Sequence, residues 1–335
     1  MNKFFELSFD DQRRVLQQAS ARCGLPPQAI EKDLWVSNIL QIVFDLPFAD
    51  KLIFKGGTSL SKVWHLIERF SEDIDLAVDR SLFGFEGDLT KKQIKKLRKA
   101  SSLFVKDTFC PALQEAVEKY GLQDFCKIES EPDGEGDSTY PEPRKIFVRY
   151  KSAWAEPSEY LSPIVMLEIG ARSLLEPNEQ THINSMVEGV FPTIQTTIVD
   201  SKVATALASK TFLEKVFLLH ELCSVEGRGV FADRKSRHLY DLSRMMDKDF
   251  ALAAIKDDEL WESIRHHREI FTSISGMDYT PDIRRRNVLV RREDIRSAWE
   301  ADYKSMCSSM IFGEKPSFIE LIENMKVLED RFHRF

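Results

Sequence analysis

The sequence has little of what marks secreted, disulfide-linked or membrane proteins. Its 335 residues include five cysteines, an odd number scattered along the chain without a CxxC pair, so we expect reduced thiols in a cytoplasmic protein. No uninterrupted apolar run approaches the roughly 18 residues of a membrane span. The first residues, MNKFFELSFDDQRR, carry acids early and lack a long apolar core, so a secretion signal is not expected. Internal repeats and low-complexity tracts are absent too, which argues against a repeat architecture.

An excess of positive charge is also lacking. The chain has 47 lysines and arginines against 54 acidic residues, a net charge of -7, which argues against a protein coated uniformly in nucleic acid. A local basic site stays open, because binding depends on the local field. The length and the hydrophobic fraction of 43% suffice for a sizeable core in about two or three domains.

The spacing of apolar residues predicts an α+β fold, with a mixed β-sheet core and helices followed by a helical C-terminal half. We expect an N-terminal helical arm at residues 1–48, a mixed core at 49–200 and a helical domain at 201–335. Apolar residues at helical spacing predict helices over 58–70 and 201–223. The predicted strands are 51–54, 74–78, 145–151, 164–169 and 191–199.

The most informative segment is FKGGTSLSKVWHLIERFSEDIDLAV. Gly56 and Gly57 stand between a predicted strand and a helix, where they permit positive φ and let a phosphate approach the backbone closely. The helix start offers unpaired N–H groups and a positive dipole end to an anion. Thr58 and Ser59 add hydroxyl donors, and we expect Lys62 to contact a nucleotide as well. A tight strand-to-helix turn without a ligand is the alternative interpretation of the two glycines.

Two aspartates follow on the next predicted strand. Asp73 and Asp75 occupy alternate positions and so face the same side, where they repel each other unless a cation lies between them. Mg²⁺ takes oxygen ligands from one or two carboxylates plus substrate phosphates, so we expect a site for Mg²⁺ or Mn²⁺. Glu168, the one acid in the apolar strand IVMLEIG, is the candidate third ligand and proton acceptor, because an unpaired carboxylate there is costly. Solvent-facing strand positions are the alternative for all three.

This order of features resembles the nucleotidyltransferase superfamily of the DNA polymerase β type, with a Gly-Gly turn, an acidic pair and a later third acid. Within it, the chain resembles the AbiEii/AbiGii toxin family over about residues 30–246. No quotable motif covers the part from about Asp247 onward. The segments that carry the resemblance, in the order expected for the family, are IEKDLWVSNIL, FKGGTSLSKVWHLIERFSEDIDL, VMLEIGAR, TFLEKVFLLHE and RKSRHLYDLSRM.

The resemblance implies a bacterial toxin of a toxin–antitoxin or phage-defence system, with an antitoxin protein encoded alongside. Some members of the family transfer a nucleotide from an NTP to the tRNA 3' end and so block translation, and GTP binding is also described. The resemblance places Lys215 and Asp241 in the active site with Asp73, Asp75 and Glu168. Lys215 can neutralise a triphosphate as a point charge, and Asp241 can orient Lys215 or the nucleotide.

Several interpretations stay open. The same metal site suits a two-metal phosphodiesterase or nucleotide hydrolase, and a non-catalytic binding module is a third possibility. Arg237 and His238 lie one turn before Asp241 and can serve the nucleotide, whereas His220 and His238 lack partners at metal-ligand spacing and are predicted to be hydrogen-bonding helix residues. Basic clusters can bind RNA phosphates without reading sequence, or can be solvated faces. The basic clusters are residues 91–99, 228–238 and 284–292.

Overall fold

Contacts within the chain divide it into two units. The computed structural model describes residues 3–71, 73–136, 139–154, 161–225, 233–290 and 293–335. The first unit comprises residues 1–63 and 70–206, and the second comprises residues 64–69 and 207–335. The short segment 64–69 therefore leaves the first unit and returns to it just before the strand with the two aspartates. No helix among the described residues is long and apolar enough to cross a membrane.

The first unit is built on a β-sheet. Its strands in chain order are β1 (Leu52–Lys55), β2 (Asp73–Val78), β3 (Cys126–Ser130), β4 (Arg144–Tyr150), β5 (Ile164–Gly170), β6 (Asn178–Thr181) and β7 (Val203–Ala206). Over the described residues they form one mixed sheet in the order β3-β4-β5-β2-β1-β7-β6. The two central neighbours β2 and β5 run parallel, whereas β1 pairs with β2, and β4 with β5, in antiparallel fashion.

The first unit also contains seven described helices. They are α1 (Lys3–Glu6), α2 (Phe9–Cys23), α3 (Pro27–Val43), α4 (Gly56–Lys62), α5 (Lys91–Phe104), α6 (Cys110–Lys119) and α7 (Met186–Val190). Helix α3 is buried on nearly every side and packs on β2 and β5. A π-helical turn, Val105–Phe109, joins α5 to α6. The sheet therefore has a face covered by helices, which is where its apolar side chains pack.

The second unit is helical. Its helices are α8 (Ala208–Ser224), α9 (Arg237–Met245), α10 (Asp249–Ala254), α11 (Asp258–Phe271), α12 (Glu293–Ser309) and α13 (Phe318–His333). Helix α8 is central, because it packs against α9, α10 and α11. Its Phe217 lies against Trp261, which in turn lies against Phe332, with ring centroids 4.4 and 5.2 Å apart.

The predicted α+β class is confirmed, and the strands predicted at 145–151 and 164–169 are present as β4 and β5, which pair in antiparallel fashion. Three local predictions are wrong. The helix predicted over 58–70 ends at Lys62, because His65 has a positive φ of 51° and Arg69 pairs in a β-bridge with Ile311. The helix predicted from Ser201 begins only at Ala208, since the β-branched residues before it form β7 between β1 and β6.

Residues 191–199, predicted as a strand, form turns and bends instead. Their backbone donors are used locally, because one carboxylate oxygen of Glu188 accepts from the amides of Thr196 and Thr197 at 2.9 and 2.8 Å. A segment whose N–H groups bind a nearby side chain has none left for a neighbouring strand.

Candidate active site

The turn between β1 and α4 is shaped around a carboxylate. Gly56 has φ of +83°, and a Cβ built on it would lie 2.0 Å from an oxygen of Asp75 and 2.8 Å from its carboxyl carbon. Only glycine fits this position, since any other residue adds both backbone strain and a collision. The Asp75 carboxylate therefore lies directly against the glycine turn.

The two hydroxyl groups of the motif serve the protein itself. The buried Thr58 hydroxyl lies 2.5 Å from the backbone oxygen of Asp73 and 2.8 Å from the Ser71 hydroxyl. The Ser59 hydroxyl donates to the backbone oxygen of Gly56 at 2.9 Å. The Thr58 bond ties α4 to the start of β2, and the Ser59 bond lies within the glycine turn, so both hydroxyls are engaged by the protein.

Asp73 and Asp75 lie on one face of β2. The strand alternates between half-buried positions at the two aspartates and buried positions at Ile74 and Leu76. Asp75 is directly opposite Glu168 in the parallel pairing of β2 with β5, so Glu168 stands on the same face. The register thus places the three acidic residues that the sequence analysis singled out on one face of two neighbouring strands, opposite the face that carries Ile74 and Leu76.

Glu168 has a second neighbour. Lys145, its partner on β4, places its ammonium 3.4 Å from the Glu168 carboxylate, with both side chains about one-third exposed. Within the described residues, no three acidic, histidine or cysteine side chains are gathered as a metal-binding group. The oxygen-only donors Asp73 and Asp75 fit a hard divalent cation shared with phosphates. Glu168 stands next to them but is bound to Lys145.

Lys62 has a protein partner. Its ammonium lies 2.5 Å from a carboxylate oxygen of Asp33 on α3, and both side chains are nearly inaccessible. The other oxygen of Asp33 accepts from the amide of Met186 at 2.7 Å. Lys62 thus forms a buried ion pair that ties α4 to α3 and α7, and its contact with a nucleotide stays a prediction.

The second unit holds a buried cluster of charges around Asp241. Arg69 donates to both carboxylate oxygens, at 2.6 and 2.8 Å, and Lys215 lies 2.9 Å from one of them. All three side chains are buried. Burial opposes ionisation of Asp241, but the charges of Arg69 and Lys215 outweigh it and hold the pKa of this carboxyl well below its usual range. Asp241 is therefore a carboxylate shared by two cations.

The sequence analysis missed Arg69. The available signal was an arginine close to the apolar residues of LIERF, at a place then assigned to a helix. Lys215 was included, and its burial, together with the charge of Arg69, lowers the pKa of its ammonium although Asp241 raises it. The ammonium is thus held in place by Asp241 and kept from solvent.

Two further residues lie at the start of α9. Arg237 is half-buried, and His238 is buried, with its Nδ1 unbonded among the described residues. Burial, with the nearby charge of Lys215, holds the pKa of His238 far below its usual range, so this imidazole is neutral. His220, by contrast, is a hydrogen-bonding helix residue as predicted, because its Nδ1 accepts from the amide of Val288 at 2.9 Å.

The three basic clusters differ. Lysines of α5 are exposed at 91, 92, 95, 96 and 99. The arginines at 284–286 bind nearby protein groups, since Arg284 pairs with Asp258, Arg286 with Asp278 and Asp282, and Arg285 with a backbone oxygen. Residues 226–232 and 291–292 lie outside the described part of the chain. Of the described clusters, α5 alone presents a row of exposed lysines.

The family of the chain follows from a family model. The model described as "Nucleotidyl transferase AbiEii toxin, Type IV TA system" matches residues 38–324. The chain therefore belongs to the AbiEii family of nucleotidyltransferase toxins. It is a nucleotidyltransferase, and its family implies an NTP substrate, usually a divalent metal, and an antitoxin partner. Of the functions that the sequence left open, the family therefore favours nucleotidyl transfer over hydrolysis and over a non-catalytic role.

Two solved structures resemble the chain. MenT4, a nucleotidyltransferase toxin from Mycobacterium tuberculosis H37Rv, is 15% identical, with 98% of this chain and 93% of that chain covered and a TM-score of 0.47. JHP933 from Helicobacter pylori is 14% identical, with 92% of this chain and 94% of that chain covered and a TM-score of 0.43. No curated protein matches the chain.

Proposed function

We propose that the chain is a toxin that transfers NMP from an NTP to the 3' end of tRNA with the help of Mg²⁺ and so blocks translation in the cytoplasm. The observation that carries the proposal is the row formed by Asp75 and Glu168 in register, with Asp73 on the same face and the Gly56 turn against Asp75. No other part of the described chain combines acids on one sheet face with a glycine turn shaped around them.

The glycine turn is proposed to receive the β and γ phosphates. Backbone N–H groups at the start of α4, from Gly57 onward, would donate to phosphate oxygens. Thr58 and Ser59 would keep the turn in place through their bonds to Asp73 and Gly56. We assign Lys62 to holding α4 through Asp33. The triphosphate would then lie on the β1 side of the two aspartates.

Asp73 and Asp75 are proposed to hold the divalent ions, which when bound would neutralise the phosphates and the leaving group. In the transfer, the acceptor hydroxyl oxygen forms a bond to the α-phosphorus, the bond from that phosphorus to the β-phosphate oxygen breaks, and pyrophosphate leaves. Glu168 would take the hydroxyl proton. Its present partner Lys145 would move to a phosphate or stay as a counter-charge. Positioning and charge neutralisation would account for the acceleration.

Lys215, Asp241 and Arg237 are proposed to be the nucleotide-binding residues of the second unit. Lys215 would supply a point charge to a phosphate. Asp241 would orient Lys215, as its 2.9 Å contact allows, and Arg69 would hold Asp241. Arg237 would add charge at the start of α9. His238, being neutral, can donate or accept a hydrogen bond without changing the charge of the site.

The test is a transfer assay with separate nucleotides. Purified protein is incubated with total tRNA, Mg²⁺ and one α-labelled NTP at a time, beside Asp73→Ala and the matched surface variant Asp50→Ala. We expect label on tRNA from one NTP with wild type and Asp50→Ala, and background label with Asp73→Ala. Label on a protein would show that the acceptor is a protein, and shortened tRNA would indicate hydrolysis. Full activity of Asp73→Ala would refute the assignment of the site. Replacing Mg²⁺ by Mn²⁺ or EDTA in the same assay tests the metal.

A further inference from the structure

The carboxylate face of the sheet also carries large apolar side chains. Phe147 on β4 is opposite Met166 on β5, and Met166 is opposite Asp73 on β2, so the three form one cross-strand row. Phe147 and Met166 are only half-buried. The neighbours of these two residues along their strands have 0% exposure and point to the helix-covered face: Ile146, Val148, Val165 and Leu167. The alternation shows that Phe147 and Met166 stand on the open face beside the acids.

Cations lie next to this apolar pair. The guanidinium carbon of Arg149 is 5.7 Å from the centre of the Phe147 ring, half of the Arg149 side chain is exposed, and its Nε donates to Glu129 at 3.3 Å. Lys145, two residues before Phe147 on the same face, pairs with Glu168. An accessible ring with an arginine and a lysine beside it is the combination that binds a base by stacking and its backbone by charge.

The position of the pair indicates which substrate it meets. The strand order is β4-β5-β2-β1, and the glycine turn follows β1. Adjacent strands are about 4.8 Å apart, and Phe147 is two strands away from Asp73 in the sheet. Phe147 therefore lies roughly 10 Å from strand β2, on the side away from the turn. A triphosphate over the turn leaves the other side of the aspartates to the acceptor, where Glu168 also stands.

We propose that Phe147 and Met166 form a platform on which the unpaired terminal base of a nucleic-acid acceptor stacks, with Arg149 beside its phosphates. The inference rests on the proposed function, which places the triphosphate at the glycine turn. A flat π-face and a polarizable thioether accept any base, so the platform orients the terminal ribose hydroxyl toward Glu168 without selecting a sequence. The pair thus determines the class of acceptor rather than the nucleotide added.

The first measurement is binding without any NTP. The probe is a short single-stranded RNA with 2-aminopurine as its 3'-terminal base, whose fluorescence falls when the base stacks. We expect saturable quenching by wild type and by Phe147→Tyr. Phe147→Ala should weaken binding by about 5- to 150-fold, the range for the loss of one stacked base. Phe9→Ala, a change at an exposed phenylalanine of the same unit, should bind as wild type. Absence of quenching by wild type, or quenching unchanged in Phe147→Ala, would overturn the platform.

The second measurement separates the platform from the transfer reaction. In the labelling assay, Phe147→Ala should raise the KM for the acceptor with little change in the KM for the NTP. A raised KM for the NTP alone would mean that the ring holds the nucleotide, which contradicts the inference. If Phe147→Ala does not fold, as judged by circular dichroism, Phe147→Leu and Met166→Ala take its place. The proposed function is tested separately by Asp73→Ala. If Asp73→Ala loses the labelling of tRNA while Phe147→Ala still quenches the probe as wild type does, the platform alone is rejected.

Discussion

Replacing Arg69 by methionine should destabilise the second unit markedly. Methionine keeps much of the length and apolar packing of the arginine stem, but it removes both hydrogen bonds, of 2.6 and 2.8 Å, to the buried Asp241. Removing one partner of a buried ion pair costs about 3–5 kcal/mol. Lys215 remains bound at 2.9 Å, so we expect the lower end of this range, about 3 kcal/mol.

The charges of the cluster predict a non-additive pattern. Arg69 and Lys215 contribute +1 each and Asp241 contributes -1, a sum of +1. Arg69→Met lowers this sum to 0, whereas Asp241→Asn raises it to +2 and should cost more. The double variant returns to +1, and there Lys215, whose pKa burial already lowers, can lose its proton. We therefore expect the double variant to cost less than the sum of the single ones, by about 1–3 kcal/mol.

The assay is urea denaturation at neutral pH, followed by tryptophan fluorescence and by far-UV circular dichroism. Two probes are needed because a chain with two units can unfold in two steps. Arg244→Met is the matched control, since Arg244 pairs with Glu68 and Glu314, both substantially exposed, and should cost less than about 1 kcal/mol. Additive costs for Arg69→Met and Asp241→Asn, or an Arg69→Met cost no larger than the control, would refute the reasoning.

Two further changes have outcomes set by the structure. Gly56→Ala should lower the free energy of unfolding by about 1–3 kcal/mol and abolish transfer by displacing Asp75. Gly84→Ala is the control, because φ there is +74° but no atom lies within 4 Å of the added Cβ. It measures the backbone cost alone and should stay active. Equal activity of the two variants would contradict the proposed collision with Asp75. Burial lowers the pKa of His220 to about 4 from 6.5, so its contribution to stability is complete above pH 6.5 and about 3 kcal/mol is lost as the pH falls to about 4. His220→Gln should lose that part of the slope in urea titrations between pH 7 and 4, and an unchanged slope would show that His220 is not its source.

The local parts of the site could be predicted from the sequence. Asp73 and Asp75 share a face because side chains alternate along any strand, and a glycine pair between a strand and a helix indicates a turn with positive φ. The blocks around Lys215 and Asp241 resembled a family that the family model then confirmed. Lys215 and Asp241 were therefore predicted without knowledge of their contact.

Other parts depended on pairing that no local pattern encodes. The helix expected over 58–70 has suitable apolar spacing, yet its second half is irregular, and there Ile67 and Arg69 are buried in the second unit. Lys62 follows the glycines, where a phosphate ligand is expected. Its ammonium forms an ion pair with Asp33, which lies 29 residues away in the chain. Tertiary contacts outweigh local propensity of this size, which amounts to less than about 1 kcal/mol per residue.

The sequence by itself determined the chemistry of this protein: a glycine turn, two carboxylates on one strand face, and blocks that identify a nucleotidyltransferase toxin. These features are encoded within a few residues, where the period of a strand or the conformational freedom of glycine decides the outcome. The tertiary structure alone decided which residues stand together. It placed Glu168 opposite Asp75, Phe147 in the row of Asp73, and Arg69 on an aspartate 172 residues further along the chain. A buried charge must find its counter-charge somewhere in the fold, because leaving it unpaired costs several kcal/mol, and only the folded chain shows where that partner lies.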